Sequence, residues 1–210
     1  EVVYTDLALV ELACWDIIGK ATNQPVYRLL GGQAIDRVPA YANGWYTVER
    51  TPKGFAEAAQ KVVARGYRGM KFDPFGNGDL ELEREEFYRS LDLIEAVAAV
   101  AGTRAQIMIE MHGRFAPHQA REIARAIEHL NIGWIEEPTR PGDVPALASV
   151  RQHTSLPIAT GERLYGAPEF REVWGSGTVD VLQPDITQTG GILEAKKIAS
   201  TAESYSIMVA

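Results

Sequence analysis

Cys14 is the one cysteine in 210 residues, so no internal disulfide can form, and a reducing, cytoplasmic compartment is expected. Lys and Arg do not gather in runs, and a net charge of −7 leaves no electrostatic footprint for nucleic acid or an anionic membrane. An anionic substrate would therefore need a local cation. No apolar run approaches about 20 residues, so no membrane span is expected, nor a secretory signal. No Gly-x-Gly-x-x-Gly turn follows the first strand-like run, which removes the usual dinucleotide signature. What is left, 46% hydrophobic and 23% charged, is the balance of a soluble globular chain able to bury a substantial core.

Residues 5–20 read as a helix that is apolar nearly all round (Leu7, Leu9, Val10, Leu12, Ala13, Trp15, Ile17, Ile18), which predicts packing on more than one side. Gly31-Gly32 breaks the chain. Short apolar runs then alternate with stretches of helical period. The runs are 38–42, 67–72, 107–111, 134–135, 157–160, 179–182 and 207–210, giving seven candidate strands. Phe87, Leu91, Ile94, Ala98 and Ala101 mark one intervening helix, Ile123, Ile127 and Leu130 another, and Ile192, Ala195, Ala199 and Ala202 a third. Thr51-Pro52 suits an N-cap and first helical turn. Strands that alternate with helices and are apolar on both faces predict a parallel sheet under helices, and seven in succession favour a (β/α)₈ barrel, incomplete here, over a doubly wound sheet. The chain opens on Glu1 and stops inside Ile207-Met208-Val209-Ala210, so it is expected to be an excerpt of a longer protein.

The predicted strands end on acids: Glu110, Glu136, Glu162 and Asp185. The first three are 26 residues apart and the last follows 23 on, each close to one βα repeat. In a barrel such ends converge on the face where active sites are built. Any one of these acids could instead cap the helix that follows, but four in phase point elsewhere. Carboxylates crowded together repel and lose hydration unless a cation sits among them, and all-oxygen ligation favours Mg²⁺, Mn²⁺ or Ca²⁺ over Zn²⁺. His112 stands two residues after Glu110, so strand alternation predicts that both side chains point into the mouth.

These features resemble the enolase superfamily. The run EVVYTDLALVELACWDIIGKATNQPVYRLLGG is similar to the last helix and hinge of its capping domain, and WIEEP, GE and QPD to its strand signatures. The resemblance implies a capping-domain remnant over 1–34 and barrel strands 1 to 7 over 35–210. Among branches the chain resembles the mandelate racemase subgroup, and within it the sugar-acid dehydratases related to galactonate dehydratase. It implies Mg²⁺, with Mn²⁺ as a substitute, on Glu110, Glu136 and Glu162. The first position is commonly Asp, so Glu110 keeps the ligand type but alters its reach. Asp185 matches the acid that pairs with a histidine base, which chain order would place beyond Ala210. His112 matches an acid that protonates a departing β-hydroxyl.

Lys71 falls where relatives that racemise or cycloisomerise carry Lys-x-Lys, but Asp73 replaces the second lysine. That argues against a lysine base. Lys71 would then neutralise substrate carboxylate, or simply pair with Asp73 or a neighbouring acid. Asn43, Trp45 and Tyr46 could line the substrate pocket or be packing, and Arg114 and Arg163 could meet substrate oxygens or pair with ligand carboxylates. His118, His129 and His153 are read as helical surface residues, and Gly76-Asn77-Gly78 and Gly190-Gly191 as structural rather than phosphate loops. The expected function is dehydration of a small sugar acid to a 2-keto-3-deoxy acid by a homo-oligomeric metal-dependent lyase. The alternatives are a racemase, epimerase or cycloisomerase of the same superfamily, or a non-catalytic truncated barrel.

Overall fold

A computed structural model describes residues 2–210. Its elements alternate as the apolar runs predict: α1 (Val2–Thr22), α2 (Val26–Leu29), α3 (Pro52–Ala64), β1 (Gly69–Phe72), α4 (Arg84–Ala101), β2 (Gln106–Glu110), α5 (Pro117–Ile127), β3 (Ile132–Glu136), α6 (Val144–Arg151), β4 (Ile158–Thr160), α7 (Gly166–Trp174), β5 (Val181–Leu182), α8 (Ile192–Ser204) and β6 (Met208–Val209). The six strands form one sheet in chain order, parallel from β1 through β4. This is the helix-covered parallel architecture of a (β/α) barrel. The first of the seven candidate runs survives only as a bridge, in which Ala42 pairs with Met70 through Ala42 N–H to Gly69 O (2.9 Å) and Lys71 N–H to Ala42 O (2.8 Å). Among the described residues no helix is long and apolar enough to cross a membrane.

The chain divides into two compact units. One comprises Ala40–Thr160 with Thr178–Val181. Its strands carry Met70, Phe72, Ile107, Ile109, Ile135 and Ile158 into the core, where Phe55, Ala59 and Val62 of α3, Leu93, Ile94 and Val97 of α4, and Ile123 and Ala124 of α5 meet them. The helix starts are set locally. Thr51 accepts from Gly54 N–H at 3.1 Å ahead of Pro52, and Asp143 accepts from Ala146 N–H at 3.0 Å. The buried stripe of α4 runs Phe87, Ser90, Leu93, Ile94, Val97 and Ala101, while the expected Leu91 and Ala98 flank it half-buried.

The other unit holds the chain up to Pro39, Gly161–Gly177 and Leu182–Ala210. Here α1 departs from expectation. Only Ala8 and Gly19 are buried, and Val2, Val3, Leu7, Leu9, Val10, Ile17 and Ile18 stay exposed, because within this chain α1 meets too little to cover its apolar circumference. Its polar anchor is specific. Glu11 accepts from the first N–H groups of α8, Ile192 at 2.8 Å and Leu193 at 3.0 Å. A carboxylate on a helix N-terminus satisfies orphan donors and meets the positive end of the helix dipole. The Gly190-Gly191 turn thus leads into a helix start whose amides are taken by an internal acid, which fits the structural reading of that pair.

Candidate metal centre

β2 and β3 end level. Glu110 lies directly across from Glu136, each the last residue of its strand, while Ile109 and Ile135 before them turn to the opposite face and are fully buried. One carboxylate oxygen of each lies within 4.8 Å of the other's. Lys71 reaches the same place from β1. Its Nζ stands 3.0 Å from Glu110 Oε2 and donates to Glu136 Oε1 as well. Relative exposures of 2%, 1% and 7% for Glu110, Glu136 and Lys71 mean that these charges have given up nearly all their water. Trp134 Nε1–H donates to Glu136 Oε2 at 2.9 Å, and the backbone N–H of His112 donates to Glu110 Oε1 at 2.8 Å. The Tyr41 ring, edge-on to Trp134, lies 5.9 Å from the ammonium.

The electrostatics of the trio are uneven. Burial, followed by hydrogen bonding to Glu136 and that residue's charge, pushes the Glu110 carboxyl up to about 7. Burial also works against ionised Glu136, but hydrogen bonds from Glu110, Lys71 and Trp134 and the lysine charge prevail and hold it below the usual range. For Lys71, burial is outweighed by the two glutamates, and its pKa rises. A single ammonium therefore does not let both acids ionise freely at neutral pH. Two desolvated carboxylates with all-oxygen donors and a deficit of positive charge fit a hard divalent cation, so this glutamate cluster could hold a metal.

A second cluster flanks the first. Asp73, two residues after Lys71, accepts from Phe75 N–H at 2.9 Å, from Arg114 Nη2 at 2.6 Å and from His112 Nδ1 at 2.8 Å. Burial opposes its charge, yet the His112 and Phe75 hydrogen bonds and the Arg114 charge hold its carboxyl below the usual range. The bond to Asp73 in turn raises the His112 pKa against its burial. Simple alternation does not place His112. β2 stops at Glu110, and the His112 backbone has turned left-handed, with φ 51°. Its ring is aimed by Asp73 instead.

The remaining candidates are distributed more widely. Glu162 and Arg163 belong to the other unit, and Glu162 lies two residues past β4, half-buried. Asp185, in that unit too, accepts at Oδ1 from Thr187 N–H (2.7 Å) and Oγ1–H (2.6 Å) and at Oδ2 from Gln188 (2.8 Å). Burial is overcome by these bonds, and its pKa is lowered. Lys71 pairs with Glu110 and Glu136 rather than with Asp73. Arg114 is spent on Asp73 and on Gly76 O at 2.9 Å. Trp45 donates to Lys71 O at 2.9 Å and packs against Tyr46, Phe55 and Phe72. Burial, then the Asp73 charge, raises the Tyr46 phenol. Asn43 is exposed and accepts from Gly44 N–H at 2.8 Å. His118 lies in α5, whereas His129 and His153 fall in the turns after α5 and α6; all three are exposed. Asp73 and Trp134 had not been singled out as site residues. Trp134 lies within β3 two positions before Glu136, the spacing that puts strand neighbours on one face, whereas Asp73 follows the end of β1.

Residues 54–210 match the Enolase C-terminal domain-like family. The chain is 42% identical over 205 residues to the D-gluconate dehydratase of Thermoproteus tenax, covering 98% of this chain and 41% of that protein. It is 37% identical over 204 residues to the D-gluconate/D-galactonate dehydratase of Picrophilus torridus, covering 97% and 52%. Among solved structures, the mandelate racemase/muconate lactonizing enzyme from Jannaschia sp. CCS1 superposes with a TM-score of 0.92 at 38% identity, over 99% of this chain and 56% of that one. The chain spans about half the length of the curated relatives it matches.

Proposed function

The chain belongs to the Enolase C-terminal domain-like family of the enolase superfamily, and from that premise we propose that it is part of a Mg²⁺-dependent sugar-acid dehydratase, a hydro-lyase. The observation that carries the reading is the buried Glu110–Glu136 pair, level at the ends of adjacent parallel strands and short of positive charge. Glu110, Glu136 and Glu162 would hold the ion. For Glu162 the support is its position two residues beyond β4, a strand that pairs with β3 and sets Ala159 across from Glu136. When bound, a divalent ion would supply the charge that acidifies the α-proton of a 2-hydroxy carboxylate and stabilises the charge left behind.

The protein's own groups do the rest. Lys71 would direct its ammonium to the substrate carboxylate. His112 protonates the departing β-hydroxyl, which its raised pKa suits. Asp185, kept ionised, orients the base. Asn43 and Tyr46 line the pocket beside Trp45, and Arg114 and Arg163 flank it. The test uses the full-length protein with Mg²⁺ against D-gluconate, D-galactonate and D-xylonate, the acids named for relatives, with 2-keto-3-deoxy product as the readout. Protein that binds the metal yet turns over none of the three would overturn the reading.

A further inference from the structure

Asp73 lies on β1's exit, outside the glutamate pair, and its whole carboxylate is committed. Oδ1 takes the Phe75 amide, while Oδ2 takes both Arg114 Nη2 and His112 Nδ1. An ionised carboxylate can only accept, so the hydrogen on the His112 contact must sit on Nδ1. We propose that Asp73 is a positioning residue that keeps the Nδ1–H of the His112 ring on its carboxylate, so that the imidazolium gives up its Nε2 proton during elimination and returns to the neutral Nδ1–H form. This rests on the dehydratase reading above and deepens it.

The geometry supports the assignment from three sides. The left-handed backbone of His112 and its N–H bond to Glu110 Oε1 fix where the ring begins, and the Asp73 contact fixes how it turns. Arg114 locks Asp73 in place, held in turn by Gly76 O. Asp73 has only 14% of its side chain exposed, so water competes poorly for its oxygens. In the reaction the π pair of the enediolate shifts to form the C2=C3 bond as the C3–O bond breaks, and the oxygen leaves with that bond's electron pair and takes the Nε2 proton to depart as water. The ring ends neutral with Nδ1–H still on Asp73, a contact it holds before and after the transfer. A ring turned over would offer the bond to Asp73 and the proton to the substrate from the wrong nitrogens.

Asp73→Asn keeps the shape but swaps the Oδ2 acceptor for a donor, which pushes the neutral ring toward the other tautomer. The full-length Mg²⁺ protein is assayed in D₂O with D-gluconate for two events, deuterium entering the α-position and release of 2-keto-3-deoxy product. Elimination should fall about 10²-fold or more in Asp73→Asn while exchange stays within about threefold, since general-acid catalysis serves only the later step. Asp73→Glu, which retains an acceptor, should recover part of the elimination. Exchange and elimination falling together, or neither falling, would overturn the proposal. A measurement free of turnover guards against variants that do not fold: ¹⁵N shifts of the His112 ring in the parent, at a pH where the ring is neutral. Protonated Nδ1 supports the assignment, and protonated Nε2 ends it. If the parent neither exchanges nor eliminates any sugar acid, it is the dehydratase reading that fails, and the ring tautomer still reports on Asp73.

Discussion

Replacing Lys71 by Met removes the ammonium that pairs with both Glu110 and Glu136 and leaves a side chain of similar length and flexibility in its place. Both acids are almost wholly buried, so water cannot make good the loss. Breaking a buried ion pair by deleting one partner costs about 3–5 kcal/mol. The lower end applies, because Glu110 already titrates near 7 and can take up a proton to relieve the repulsion. For a protein of this size each kcal/mol moves the melting midpoint by about 2–4 °C, so the metal-free variant should melt about 6–12 °C below the parent at pH 8. Mg²⁺ should close much of that gap. An ion present at a hundred times its Kd contributes about 2.7 kcal/mol, and in the variant it need not first displace an ammonium, so its apparent affinity should rise. The assay is thermal unfolding of EDTA-treated full-length protein with and without a Mg²⁺ titration. A variant that melts within about 1 °C of the parent and binds Mg²⁺ no more tightly would refute the reasoning.

The Glu110 carboxyl carries a second expectation. Its pKa in the folded protein, about 7, lies above the ordinary 4.5, so its contribution is full below about 4.5 and is lost as pH rises through 7. The stabilisation given by saturating Mg²⁺ should therefore be larger at pH 8 than at pH 5.5; equal shifts in melting temperature would count against it. Away from the metal centre, Glu11→Ala strips two amides of α8 of their acceptor and should cost about 1–2 kcal/mol by urea unfolding. Gly191→Ala should cost at least as much, since φ is 102° and a Cβ would stand 2.3 Å from Glu11 Oε2; in the Glu11→Ala background most of that steric part should vanish, and simple additivity would disprove the coupling.

The alternation of apolar runs and helical stretches made the parallel sheet legible, because strands buried on both faces leave an unbroken apolar signature that turns cannot mimic. The acids at the ends of β2 and β3 were legible for the same reason: a charge placed where an apolar run stops stands out. Other features lay outside what spacing can report. The run 38–42 has strand composition, yet only Ala42 pairs, since backbone pairing depends on a neighbour's register and not on composition. The exposed flank of α1 is a property of what surrounds a helix, which its own residues do not record. His112 was placed by a period-two rule that applies only while the strand continues, and the left-handed turn at that residue ends it. Asp73 was read for the lysine it replaces; its side-chain partners are 39 and 41 residues away.

The same contacts bear on which branch of enediolate chemistry the residues suit. A racemase that works by two bases needs one on each side of the α-carbon, each able to lose its proton near neutral pH. On β1 the candidates are Lys71 and Asp73. Lys71 cannot serve while Glu110 and Glu136 raise its pKa, and an ammonium turned to a substrate carboxylate would be held protonated for the same reason. Asp73 is a poor base for the opposite cause, since its carboxylate is already stabilised by an arginine, an amide and an imidazole. What the β1 and β2 ends do offer is a cation for a carboxylate and an imidazole biased toward holding a proton. Those groups suit the proposed elimination, in which charge must be neutralised and a hydroxyl must leave as water.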